Sequence, residues 1–134
     1  MVQLPFELQN VLENAIEAEK QISYARPEVY NALVAESDNC TAISASGRFT
    51  IGSADVKGAT VRVSVGNVGE TERFVEHIAA DCTDNMFYGV FKSGVCISKE
   101  DGSSDRLCWV VTMVFKKIDG VWKLVHRHNT RSTP

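Results

Sequence analysis

Asp119-Gly120 sits between two runs in which apolar and polar residues alternate, and no other feature limits the fold of this chain as much. An Asp-Gly pair readily takes the positive φ angles of a tight strand connection. Cys108–Thr130, CWVVTMVFKKIDGVWKLVHRHNT, therefore predicts an antiparallel hairpin. Its second strand carries Trp122 and a His-x-His pair, His126 and His128, at strand spacing.

The pattern continues upstream as a sheet. Met86–Ser98, Arg106–Lys117 and Val121–Thr130 read as three strands, joined by the polar turn Lys99–Asp105 and by Asp119-Gly120. Cys40–Ala45 and Arg48–Ile51 read as shorter strands split by Ser46-Gly47. Nearer the N-terminus, Leu8, Val11, Leu12, Ala15, Glu19 and Ile22 recur at helical spacing, which predicts an amphipathic helix over residues 6–22. Pro27, at a first-turn position, opens a second helix with Val29, Leu33 and Val34 on its apolar side. Between these regions, Val61, Val63 and Val65 alternate with polar residues, a strand pattern. The stretch 70–81, ETERFVEHIAAD, has the composition of a helix. Helices first and an antiparallel sheet last make one α+β domain over residues 1–134.

Charge and composition exclude some functions. A net charge of -3 leaves no basic surplus to neutralise phosphates, so nucleic acid is not an expected partner. No apolar run approaches the ~20 residues of a membrane span, and Met1–Glu7 lacks the basic and apolar segments of a signal peptide. A cytoplasmic protein without membrane contact is expected. Cys40, Cys82, Cys96 and Cys108 show no C-x-x-C and no zinc-like spacing, so they read as free thiols. Cys96 and Cys108 are equidistant from Gly102, which leaves a cross-hairpin pairing open.

Lys116–Thr130 resembles the terminal hairpin of SnoaL-like proteins of the nuclear transport factor 2-like superfamily. It is most similar to the association (hub) domain of calcium/calmodulin-dependent protein kinase II. The shared pattern is basic residues, Asp119-Gly120, Trp122, the aliphatic pair Leu124-Val125, His126-x-His128 and then Thr130. The resemblance implies a cone: a strongly curved antiparallel sheet around the first helix, with a pocket between them. It also implies dimers formed through the sheet. It would place a helix over residues 53–65, so that segment stays open between helix and strand. Members include ketosteroid-isomerase-like and polyketide-cyclase-like enzymes, dehydratases and non-catalytic assembly domains, so the fold alone does not assign a function. The hub's pocket arginines fall on Met113 and Asn129, and its helical histidine has no counterpart around Asp55–Gly58. The hub's anion site is thus not reproduced.

The turn decides which residues line a pocket. A two-residue turn opposes Met113 to His126 and places Trp109, Phe115, Leu124 and His128 on the same side. A three-residue turn with Gly120 left-handed shifts every partner by one. Trp109, Val111 and Met113 then share a face with Arg127 and Asn129, and His126 and His128 point outward. The resemblance favours this second register, in which Val110, Thr112, Val114, Trp122 and Leu124 form an apolar outer face suited to a homodimer or larger assembly. The candidate ligand-binding residues are Tyr88, Lys92, Trp109, Met113, Arg127, Asn129, His126 and His128. Arg127→Ala is expected to weaken a ligand without changing the melting temperature. The two histidines offer ring nitrogens near neutral pH, but no third ligand or H-E-x-x-H spacing accompanies them, so neither metal nor cofactor is expected. His77 and Asp81 would be an i, i+4 pair on a helix.

Two functions fit. One is a small-molecule-binding protein with a small organic ligand in the cone, open to isomerase, cyclase or dehydratase chemistry. The other is a non-catalytic association module. Isomerase-like chemistry needs a carboxylate base in an apolar cavity. The late strands contain no internal Asp or Glu, and Glu76, Asp81 and Asp84 are the nearest acids in sequence. No catalytic residue is assigned from the sequence.

Overall fold

Asp119 and Gly120 both adopt positive φ, 51° and 78°, and close the two-residue turn that pairs Ile118 with Val121 and Lys117 with Trp122. This hairpin belongs to a computed structural model that describes residues 4–22, 26–66, 72–98 and 101–133. Its elements run α1 (Phe6–Ile22), α2 (Pro27–Asn31), β1 (Thr41–Ile43), β2 (Phe49–Ile51), α3 (Ser53–Gly66), β3 (Glu72–Cys82), β4 (Met86–Ser98), β5 (Ser104–Ile118) and β6 (Val121–Ser132). The strands form one curved sheet in the order β2-β1-β6-β5-β4-β3, antiparallel throughout except for the parallel pair β1–β6.

Both sequence registers of the hairpin occur, one on each side of a β-bulge. Next to the turn, Phe115 pairs with Leu124 and Lys116 with Lys123, as a two-residue turn dictates. Val125 is then the extra residue, and from Val114↔His126 onward the register is shifted by one. Met113 consequently opposes Arg127, and Val111 opposes Asn129. The bulge also corrects the expected outer face. Val110, Thr112 and Val114 lie on the convex side, but Trp122 and Leu124 fall on the concave one. Trp122 packs edge-on against Phe87 at 5.2 Å between ring centroids, and Leu124 is buried.

Residues 53–66 are helical, as the resemblance and not local propensity implied. Gly52, at φ +88°, turns the chain out of β2, and Val56 donates its N–H to the Gly52 carbonyl to start the first turn. Val56 and Thr60, one turn apart, are both buried, so α3 is held by packing that outweighs β-branching. The helical composition of 70–81 misleads in the opposite sense. From Glu72 this segment is β3, laddered along its length to β4. A bulge at Ile78, between His77 and Ala79, shifts the register, and the adjacent apolar pairs Phe74-Val75 and Ala79-Ala80 give no strand-like alternation.

The concave face wraps α1. Leu8, Leu12 and Ala15 of the helix meet Phe87, Phe91, Met113, Phe115 and Leu124 of the sheet in one core. Burying each large apolar side chain contributes about 1.5–3 kcal/mol, so this contact dominates the domain's stability. Phe87 and Phe115 stack with centroids 4.6 Å apart at the hairpin end. Gly89 lets the helix approach the sheet, since a Cβ there would meet a Leu12 methyl at 2.7 Å. Cys96 pairs with Arg106 and Cys108 with Gly94, so the two cysteines are not opposite each other, and Cys40, Cys82 and Cys108 are free. Among the described residues, no helix is long and apolar enough to cross a membrane.

Candidate functional site

Beyond the aromatic cluster, the concave face is not filled by side chains. A cavity of about 390 Å³ opens there, within the size range of small-molecule sites. α1 contributes Glu19 and Ile22, α2 contributes Tyr30, and α3 contributes Val56, Ala59 and Thr60. Residues 42–46, from β1 and the turn after it, form one wall, and Arg73, Ser93, Trp109, Val111, Arg127 and Asn129 come from the sheet. The lining is mostly apolar, with one strongly polar corner.

That corner is built on β6. Arg127 and Asn129 point inward because they follow the Val125 bulge, and α1 delivers Glu19 opposite them. Arg127 donates from Nη2 to Glu19 Oε1 and from Nη1 to Asn129 Oδ1, the latter at 3.1 Å. The Arg127 side chain is 20% exposed and that of Glu19 is 9% exposed. Burial pulls the guanidinium down to about 10, still far above neutrality, so the cation persists and requires the carboxylate beside it. The Arg127 Nε–H is buried and has no partner. With its oxygen engaged by Arg127, Asn129 presents its NH₂ end as a donor. Nearby, the Arg131 guanidinium sits 5.6 Å from the centre of the Trp109 ring. Burial, and then the neighbouring Cys40, push the Tyr30 phenol up in pKa, which keeps it neutral.

Of the residues expected in the pocket, Trp109, Arg127 and Asn129 line this cavity together. Met113 shares their face but is sealed in the core at 0% exposure. Tyr88 and Lys92 do not line it: Tyr88 pairs with Val114 and Lys92 with Val110, on the convex side. His126 and His128 are also convex, with ring centroids 6.5 Å apart. His126 Nδ1 lies 2.7 Å from Thr41 Oγ1 of the parallel strand β1. His77 does not partner Asp81, because the segment is a strand; its Nε2 contacts Glu13 of α1 at 2.8 Å.

Glu19, Tyr30, Thr60, Arg73 and Ser93 were not anticipated. Glu19 left a trace in the sequence, as an acid on the apolar stripe of α1, one turn after Ala15. Such a position buries the carboxylate, and burial demands a partner. The others left no comparable signal.

A sequence family described as the SnoaL-like domain matches residues 9–130. Among curated proteins, none matches the chain by sequence. Several solved structures are similar. A protein from Thiobacillus denitrificans, described as a calcium/calmodulin-dependent protein kinase type II association domain, superposes with a TM-score of 0.75 at 17% identity, over 89% of this chain and 93% of that one. A ketosteroid isomerase-like protein from Erwinia carotovora atroseptica gives 0.69 at 11% identity, over 93% and 96%. A nuclear transport factor 2-like protein of unknown function from Shewanella oneidensis gives 0.69 at 15% identity, over 93% and 99%. These likenesses define the fold.

Proposed function

The chain belongs to the SnoaL-like domain family, and from that premise we propose that it binds a small organic molecule in the cone cavity, against the Glu19–Arg127–Asn129 corner. The observation that carries this reading is a buried ion pair placed at a cavity rather than in packed core. A structural pair has its remaining donors satisfied, whereas Arg127, which lines the cavity, keeps a buried Nε–H unpaired. The apolar walls would hold the body of a ligand, and the corner would orient its polar end. Glu19 is also a carboxylate in an apolar cavity, the element that proton transfer next to a carbonyl requires. An isomerase-type reaction is accordingly the one to assay first.

A thermal-shift screen over small acids, amides and cyclic ketones tests the reading. A ligand at a hundred times its Kd should stabilise the fold by about 2.7 kcal/mol. Asn129→Ala should reduce that gain. A melting temperature unmoved across the panel would count against a ligand site.

A second property rests on the convex face. Val90, Val110 and Val114 run across its middle, Met86 and Tyr88 are 42% and 39% exposed, and Phe49 and Ile51 on β2 are more than half exposed. We assign this face to a second copy of the chain, which makes the protein a homodimer. A reducing, cytoplasmic setting suits the free thiols.

A further inference from the structure

We infer that the polar corner selects a neutral head group in which a carbonyl stands next to an N–H or O–H, a carboxamide being the simplest case, and discriminates against carboxylates. This deepens the ligand-binding reading above and rests on it. The usual association of arginine with carboxylates does not apply here, because Glu19 already occupies the guanidinium. What remains at the corner is one unpaired donor, the Arg127 Nε–H, the amide donors of Asn129, and the lone pairs of the Glu19 carboxylate not used by Arg127. A carbonyl oxygen meets the Asn129 donors, and an adjacent N–H or O–H meets Glu19.

A carboxylate would fail on the same geometry. It would bring a second negative charge beside Glu19 in a poorly solvated cavity, or displace Glu19 and leave that acid buried without its counter-charge. Arg73 does not reverse the balance. It lies between the cavity and a neighbouring recess lined by Glu13, Glu17 and Lys20, where two acids match two bases. The pair Glu19 and Arg127 is likewise neutral, so the corner itself carries no net charge to attract an anion.

Two probes of one shape decide the question: 2-naphthamide and 2-naphthoate, titrated calorimetrically at pH 7.5. The bicyclic body suits the apolar walls, and only the head group differs. The amide should bind at least about tenfold more tightly, a difference of about 1.4 kcal/mol. Glu19→Gln removes the negative charge while retaining an oxygen for Arg127, and should reverse the order in favour of the naphthoate. Naphthoate binding as tightly as the amide to the wild-type chain would overturn the inference and leave the ligand site standing. Binding of neither probe would overturn the inference, and the site itself falls only if the wider screen is also silent. A folded Glu19→Gln chain that keeps the amide preference would show that Glu19 is not the discriminating group. If that variant does not fold, the wild-type ratio alone decides.

Discussion

Arg127 and Glu19, 108 positions apart in sequence, meet as a buried ion pair that joins the last strand to the first helix across the cavity. The pair therefore belongs to both the stability of the fold and the chemistry of the site. Arg127→Ala would leave the Glu19 carboxylate buried without a counter-charge. The sequence-based expectation of an unchanged melting temperature is accordingly replaced by a large loss.

A double-mutant cycle measures this. Arg127→Met alone should cost about 3–5 kcal/mol in urea unfolding, because it strands a buried charge. Glu19→Leu combined with Arg127→Met should cost clearly less than the sum of the two single changes. Additive losses would mean that the two charges are not coupled.

Stability should fall on mild acidification through His126. Burial first, and then the neighbouring His128, hold its pKa below the ordinary 6.5. The unfolded chain therefore binds this proton more readily than the folded one. The contribution is complete above about pH 7 and is lost as pH falls through 6.5 toward the lower folded value. Among the described residues that flank His126 in the sheet, none is an acid that could compensate. Thr41 and Ile43 flank the two histidines on β1, Val114 and Thr112 on β5, and Thr130 bonds His128. Melting temperatures from pH 8 to 5 should be level and then decline, and His126→Gln should flatten the decline. A profile unchanged by that substitution would place the acid sensitivity elsewhere.

Gly94 should not tolerate a methyl group. A Cβ there would lie 2.2 Å from Cζ of Phe74 and 2.7 Å from the backbone oxygen of Leu107. The Phe74 ring is itself held under the Arg106 guanidinium, 4.2 Å from its centroid. Gly94→Ala should cost about 1–3 kcal/mol by denaturant titration. A loss below about 0.5 kcal/mol would show that Phe74 swings clear freely.

The convex face predicts the oligomeric state. Sedimentation equilibrium at micromolar concentration and pH 7.5 should report at least about 30 kDa, twice the 14.8 kDa chain. Val114→Glu, at the middle of that face, should return the chain to one copy with its fold intact. A wild-type monomer would defeat the assignment.

Much of this fold was legible wherever one local rule acted alone. The stripe of α1 gave its residues 6–22, and Asp119-Gly120 gave the turn. Reading failed where a distant partner decided. Residues 53–66 became helical because Val56 and Thr60 are buried against the core, which no local pattern announces. β3 was hidden because Phe74-Val75 and Ala79-Ala80 are adjacent apolar pairs without period two, and its ladder to β4 decides it. The cavity lining was half visible: Trp109, Arg127 and Asn129 line it as the shifted register implies, whereas Tyr88 and Lys92 stand on the convex face of β4. Glu19 stayed hidden because its carboxylate comes from the first helix, far in sequence from the strands it faces.

The Val125 bulge makes the pairing register of β6 a stronger variable than side-chain identity. Pairing Val125 regularly with Val114 would extend the turn's register to the strand's end, bringing His126 and His128 to the interior and sending Arg127 and Asn129 to the outer surface. Deleting Val125, in contrast, would leave His126 opposite Val114 and every face unchanged. The same strand paired without the bulge would exchange a pocket floor for an assembly face without a single substitution. Related chains with the same last-strand motif can thus differ in what their cones hold, according to where the extra residue sits.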